Sequence, residues 1–141
     1  MKQASKTLLV TVIVIAAFLL FARFRGDTVS NIAFGDDALT LTAPQKYTCV
    51  VDYDDIQSLE LTDSFDPGTQ VSGGENRRYI WGERETALWE RCTFCVSKKI
   101  DNAIVITTTD GGHILFNYES EDTTAAILPM FRTLLDNRNA A

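Results

Sequence analysis

The sequence predicts a mainly β domain of bent antiparallel sheets or a partial barrel, capped by one C-terminal α-helix and preceded by an N-terminal membrane-spanning helix. Three patterns carry this expectation. Residues Leu8 to Ala22 hold no charge and are bracketed by Lys2 and Lys6 before and by Arg23 and Arg25 after. From Asn31 to Tyr118 the apolar residues alternate with period two between Gly, Asp and Asn turns. From Glu121 onward Ile127, Met130, Phe131, Leu134 and Leu135 fall at helical spacing.

The elements follow in chain order. The uncharged run is short against the ~20 apolar residues that cross a ~30 Å hydrocarbon core. Thr7 and Phe24 extend it, and the flanking Lys and Arg side chains can snorkel to headgroups. This places a transmembrane helix at about residues 7–24, within an anchor of residues 1–25, and a cell-membrane, single-pass protein. The alternatives are a cleaved signal peptide and a buried core helix. The first lacks small residues behind its core, which ends Leu-Leu-Phe-Ala-Arg-Phe-Arg. The second lacks the polar stripe of a globular helix. A short N-terminal tail before a long domain favours an outward-facing domain, although the flanking charges are balanced.

Residues 26–141 make one domain of about 115 residues, enough to bury a core. Asn31–Phe34 and Ala38–Thr42 read as a hairpin across Gly35-Asp36-Asp37. Tyr47–Tyr53 and Ile56–Thr62 are the next strands, and Asp63–Arg78 is a long polar loop. Tyr79–Glu85 pairs with Glu90–Ser97, Lys98–Asn102 is a polar turn, and Ala103–Thr108 pairs with His113–Tyr118 across Asp110-Gly111-Gly112. The helix spans 121–137. Ser120 caps its start, Glu121 and Asp122 suit its positive end, and Pro129 predicts a kink.

Charge narrows the partners. The chain has 13 Lys and Arg against 19 Asp and Glu, net −6. Four of those bases and no acid lie in the first 25 residues, which leaves nine bases against nineteen acids, net −10, in the domain. Such a domain is repelled by nucleic acid and by anionic headgroups, so the expected partners are the membrane through residues 7–24 and a protein or peptide.

The chemistry-bearing residues are few. Cys92 and Cys95 have C-x-x-C spacing but lie inside a strand-like alternation, so they face opposite sides ~10 Å apart, too far to bridge. Structural cysteines are the reading, with a Cys49–Cys92 disulfide as the alternative in an oxidising compartment. Cys92→Ser is expected to cost more than Cys95→Ser, because Cys92 shares a face with Phe94 and Val96. His113 is the single histidine, beside a turn, and a Ser-His-Asp arrangement could be built only around it. Asp52, Asp54 and Asp55 form an acidic cluster without the Gly and closing Glu of a calcium loop. No catalytic, cofactor or metal residue is assigned. Arg77, Arg78, Lys98 and Lys99, with Tyr79, Trp81 and Trp89, are the candidate partner surface, next to the 63–78 loop.

The stretches DDIQSLEL, RRYIWGERE, DNAIVITTTDGGHILFNYES and EDTTAAI, with the loop at Gly68, resemble a bacterial pleckstrin-homology-like domain family whose members are often tied to a spanning helix in Gram-positive bacteria. The resemblance covers roughly residues 31 to 136 and implies two orthogonal antiparallel sheets capped by a helix. Phosphoinositide-binding relatives carry Lys and Arg at the first hairpin turn. Here that turn holds Asp36 and Asp37, the wrong sign for a phosphorylated headgroup. The expected function is a membrane-tethered, non-catalytic module that binds a protein or peptide. The rivals are a metal-dependent hydrolase using the Asp52–Asp55 carboxylates and a structural accessory subunit of a membrane complex.

Overall fold

A computed structural model describes residues 10–15 and 31–139. It is mainly β, with one C-terminal helix. β1 (Asn31–Phe34), β2 (Ala38–Ala43) and β3 (Tyr47–Asp52) form a three-stranded antiparallel sheet. A 3-10 turn, Tyr53–Asp55, leads into the large sheet. That sheet is built from β4 (Ile56–Thr62), β5 (Thr69–Gln70), β6 (Gly74–Glu75), β7 (Tyr79–Thr86), β8 (Glu90–Ser97), β9 (Ala103–Thr108) and β10 (His113–Phe116). Its order is β4-β9-β10-β8-β7-β5, with β6 also pairing β7. The helix α1 spans Glu121–Asn139.

Alternation explains the two faces of the large sheet. Trp81, Cys95, Ile104, Ile106 and Phe116 point inward and share one apolar cluster with Ile32, Phe34, Leu39, Leu41 and Val51 of the small sheet and with Ile127, Leu128 and Phe131 of α1. Ile80, Cys92, Phe94, Val96, Ala103, Val105 and Leu115 point outward and form a second cluster, covered in part by Phe65 and Trp89. Near-continuous burial on both faces is why β8 and β9 read as apolar runs (burial without a solvated side).

The expected membrane helix is corrected. Among the described residues no helix is long and apolar enough to cross a membrane. Val10, Val12, Ile13 and Val14 of the described residues 10–15 are exposed. The rest of the 7–24 span lies outside the described residues. α1 is long enough at 19 residues but carries Glu121, Asp122, Arg132, Asp136 and Arg138.

The implied pair of purely antiparallel sheets is corrected too. β10 runs parallel to β8, with His113 opposite Cys92 and Phe116 opposite Cys95. After β8 the chain skips one strand position, runs back as β9 beside β4, and returns as β10 into the gap. The 98–102 turn therefore crosses the end of β10. Asn117, just past β10 and 2% exposed, fastens that crossing. Its Oδ1 accepts from Ser97 N at 2.7 Å. Its Nδ2 donates toward the carbonyls of Ser97 (3.2 Å), Ile100 (3.3 Å) and Asn102 (3.2 Å). One amide thus supplies polar partners to the buried part of the turn, at Ile100 and Asn102, and to Ser97.

The 63–78 stretch also departs from expectation, because it is not free loop. β5 and β6 pair with β7, and Val71 N and Ser72 N donate to the Glu83 carbonyl at 2.9 and 3.1 Å. Two glycines allow the approach. Gly73 and Gly82 both have positive φ, and a Cβ on Gly82 would meet Gly73 Cα at 2.5 Å.

α1 begins as its sequence dictates. Ser120 Oγ accepts from Thr123 N at 3.0 Å, and the buried Thr124 hydroxyl accepts from Tyr118 N at 2.9 Å. The helix continues through Pro129 to Asn139, two residues beyond the expected end. Thr124, Ile127, Leu128 and Phe131 form its buried stripe. Phe131 meets Phe34 edge-on at 5.1 Å and lies 6.5 Å from Phe116, joining both sheets through one ring.

Asn117→Ala removes one acceptor and two N–H donors that serve four backbone groups at the crossing. We expect a loss of about 3 kcal/mol or more in unfolding free energy. Asn117→Asp should be at least as damaging, since it turns the donor that faces three carbonyls into an acceptor. Urea titration of both variants measures this, and a loss below about 1 kcal/mol would show that the crossing is held by something else.

Candidate partner-binding site

The sheet register decides which of the candidate surface residues meet. Tyr79 opens β7 opposite Ser97, which closes β8. Lys98 N donates to the Arg78 carbonyl at 2.7 Å. Arg77, Arg78, Lys98 and Lys99, far apart in sequence, are thereby gathered at one corner of the large sheet, and all four are exposed. Asn76 Oδ1 shapes that corner by accepting from Arg78 N and Tyr79 N, both at 2.8 Å.

The two tryptophans do not join them. Trp81 is 4% exposed and belongs to the inner core, with Gly74 lying directly against its ring. Alternation turns it to the inner face of the large sheet, so its assignment to a binding rim is corrected. Trp89 sits in the β7–β8 turn, where its backbone N–H donates to Thr86 Oγ1 at 3.0 Å, and it packs on the outer cluster. An eight-residue strand separates it from the basic corner, a distance of about 24 Å.

Beside the corner lies a groove of about 410 Å³. Phe65, Pro67, Ile80 and Ile100 give it apolar walls, and Asp63, Glu75, Lys98 and Asp101 give it a charged rim. Lys98 Nζ pairs with Glu75 Oε1 at 2.8 Å. That hydrogen bond draws the Glu75 carboxyl below the usual glutamate range. One wall is the 98–101 turn. The other is the 63–67 segment, anchored by Phe65 against Phe94 at 5.9 Å and by Arg84.

Arg84 is the residue that sequence reasoning missed. It is 5% exposed, although it is charged. Its Nε donates to the Pro67 carbonyl at 2.6 Å and its Nη2 lies 3.4 Å from the Gly68 carbonyl. It holds the loop against β7 with a guanidinium fork that meets backbone instead of a carboxylate. Its only sequence signal was parity: it shares a face with Ile80, two strand repeats away.

No protein-family model, curated protein or solved structure matches the chain. The geometry of the groove and its corner therefore carries the functional reading.

The acidic and thiol candidates have structural employment. Asp52 Oδ1 accepts from Asp54 N at 3.0 Å and caps the 3-10 turn. Arg138 near the end of α1 reaches Asp37 at 3.0 Å and Asp54 at 3.6 Å, donates to the Asp36 carbonyl at 3.0 Å, and lies over the Tyr53 ring at 5.6 Å. The acidic hairpin turn is thus a docking point for the helix end, with a cation at the negative pole of the dipole. Among the described residues no group of three or more His, Cys, Asp or Glu is placed to hold a metal ion. His113 shares a hydrogen bond with Thr107 at 3.2 Å.

Burial pushes all three thiols up, Cys95 to about 12. Cys92 and Cys95 fall into opposite clusters, as strand alternation requires. Cys49 packs against the inner cluster while Cys92 lies in the outer one. The sheet itself therefore stands between the Cys49–Cys92 pair.

Two outcomes follow. Cys92 Sγ lies 3.9 Å from Thr86 Oγ1, so a serine at 92 has a partner at hand, whereas Cys95 lies among Trp81 and Phe116. We expect Cys95→Ser to lose about 1–3 kcal/mol and Cys92→Ser less, the reverse of the order expected from sequence. Thermal melts of the two variants decide it. The Glu75 carboxyl should titrate below the normal glutamate range, by NMR, and return to it in Lys98→Met. With its folded-state value depressed, the pair contributes above the ordinary glutamate midpoint and is lost as pH falls through the lowered one. On an exposed rim its effect on stability is small.

Proposed function

We propose that the domain is a non-catalytic interaction module that binds an extended, acidic peptide segment of a protein partner. The observation that carries this reading is the apolar groove of Phe65, Pro67, Ile80 and Ile100 beside four exposed cations, in a domain that is otherwise strongly acidic. Apolar walls supply affinity by burial, at about 25 cal/mol per Å². Arg77, Arg78 and Lys99 supply direction from the corner outside the groove: the groove's own rim sets Asp63, Glu75 and Asp101 against Lys98, so the uncharged apolar part of the peptide lies in the groove and its acidic part on the corner. The acidic remainder of the surface repels wrong registers of the same peptide. Protonated, buried thiols and a histidine engaged with threonine argue for binding over catalysis.

Fluorescence anisotropy with labelled peptides tests the reading. A peptide with two or three Glu or Asp next to a Leu or Phe should bind, and more weakly as salt rises. The double variant Arg77→Glu, Lys99→Glu should weaken it about tenfold, as expected from two exposed charge pairs of up to ~1 kcal/mol each. Sedimentation with phosphatidylserine or phosphoinositide vesicles is the counter-test. Vesicle binding without peptide binding would make the corner a headgroup reader and overturn the proposal.

A further inference from the structure

Among the described residues, the open edges of the two sheets are not alike. β5 and β6 are two residues long, and β1 is four. β4 is bulged between Ile56 and Ser58, and Arg132 of α1 donates to its Leu59 carbonyl at 2.9 Å. Short length, a bulge and a covering element are the usual means of blunting an edge. β3 has none of them. It pairs β2 over six residues without a register shift and, among the described residues, no strand lies on its other side. Its bonding direction follows from the residue just beyond it. Tyr53 N donates to the Asp37 carbonyl at 3.0 Å, continuing the β2–β3 register by one pair. Antiparallel pairs alternate between bonded and non-bonded, so Tyr47, Cys49 and Val51 bond to β2. Thr48, Val50 and Asp52 turn their N–H and C=O groups to the free edge. The side chains of these three are exposed, Val50 by 62%. Between Lys46 and Asp52 the strand carries no charge and no proline.

We propose that β3 is a self-association edge: a second copy of the chain adds its own β3 antiparallel across a two-fold axis at Cys49, joining the two small sheets into one. A two-fold antiparallel contact is self-complementary, so a single edge serves both copies. The charges at the strand ends select this register. With the axis at Cys49, Thr48 lies opposite Val50 of the second copy, and Lys46 lies opposite its Asp52. Thr48 and Val50 both bond outward, so each such pair exchanges two backbone hydrogen bonds, and the axis makes two such pairs. The exposed Val50 side chain is covered by the Thr48 methyl group across the new strand pair. The axis also makes two Lys46–Asp52 ion pairs, one at each end of the contact. Moving the axis to Val50 sets Thr48 against Asp52, and Lys46 against Asp54, which Arg138 already reaches at 3.6 Å.

Sedimentation equilibrium of the full-length chain tests this, up to submillimolar protein, the range in which small interfaces associate. A monomer–dimer equilibrium is expected. Val50→Pro removes an N–H that β2 does not use, on an edge where proline is tolerated. Its melting temperature should stay near that of the parent chain while the dimer is lost. Lys46→Glu changes only an exposed turn side chain, and should weaken the dimer about tenfold through two symmetry-related exposed pairs. Asp52→Lys should weaken it likewise. A mixture of these last two variants should associate as a heterodimer, because each chain then meets the opposite charge. A parent chain that stays monomeric, a dimer that survives Val50→Pro, a Lys46→Glu dimer as tight as the parent's, or a mixture no tighter than its separate variants would each overturn the proposal.

Discussion

The fold depends on one buried side-chain amide. A parallel β8–β10 pair needs the chain to leave β8, pass over a vacant strand position and come back to fill it. The crossing turn is exposed at Lys98, Lys99 and Asp101 but tucks Ile100 and Asn102 beneath the surface, where their carbonyls need partners. Asn117 meets that need by offering an acceptor to Ser97 N and donors toward three carbonyls. It works together with the ladders to β8 and β9 and with the burial of Leu115 and Phe116 to hold β10 between those strands. Asn102 extends the same clasp to the helix, since its Nδ2 donates to the Glu121 carbonyl at 3.0 Å. Turn, sheet centre and helix start are therefore one hydrogen-bonded unit.

The candidate site is a consequence of that unit. The clasped turn carries Lys98, Lys99 and Ile100, so the amide that orders the sheet also sets one wall of the groove and half of the basic corner. The opposite wall is set by Arg84, which ties Pro67 and Gly68 to β7. Both walls are held by buried side chains donating to backbone carbonyls, a stiff arrangement that costs a binding partner little ordering. Arg138 joins the helix end to the first hairpin and to the 3-10 turn, pairing with Asp37 and with Asp54 of the acidic cluster that otherwise suggested a cation site.

Strand positions are legible in the sequence. Period-two alternation bounded by Gly, Asp and Asn locates the eight longer strands from β1 to β10, and the Ser120 cap with the Ile127 to Leu135 spacing locates α1. Two short strands inside the 63–78 stretch are not legible, because their pairing rests on backbone approach at Gly73 and Gly82 and not on any apolar pattern. The uncharged N-terminal run invites a spanning helix from length and composition. Six of its positions are described, and no helix among the described residues meets the length and apolarity a membrane requires.

By itself the sequence determined the local geometry and the facing of residues: which segments are extended, where the C-terminal helix begins, and that Cys92 and Cys95 look opposite ways. These follow from neighbours within a few positions, through alternation, capping and turn chemistry. Only the tertiary structure decided which strands become neighbours, that Trp81 is core, that Arg84 is buried and that Arg77, Arg78, Lys98 and Lys99 meet. Periodicity fixes a face and says nothing of a partner strand. Pairing is set by contacts between residues distant in sequence, such as the apolar clusters on the two sheet faces and the bond from Ser97 N to Asn117, twenty residues on.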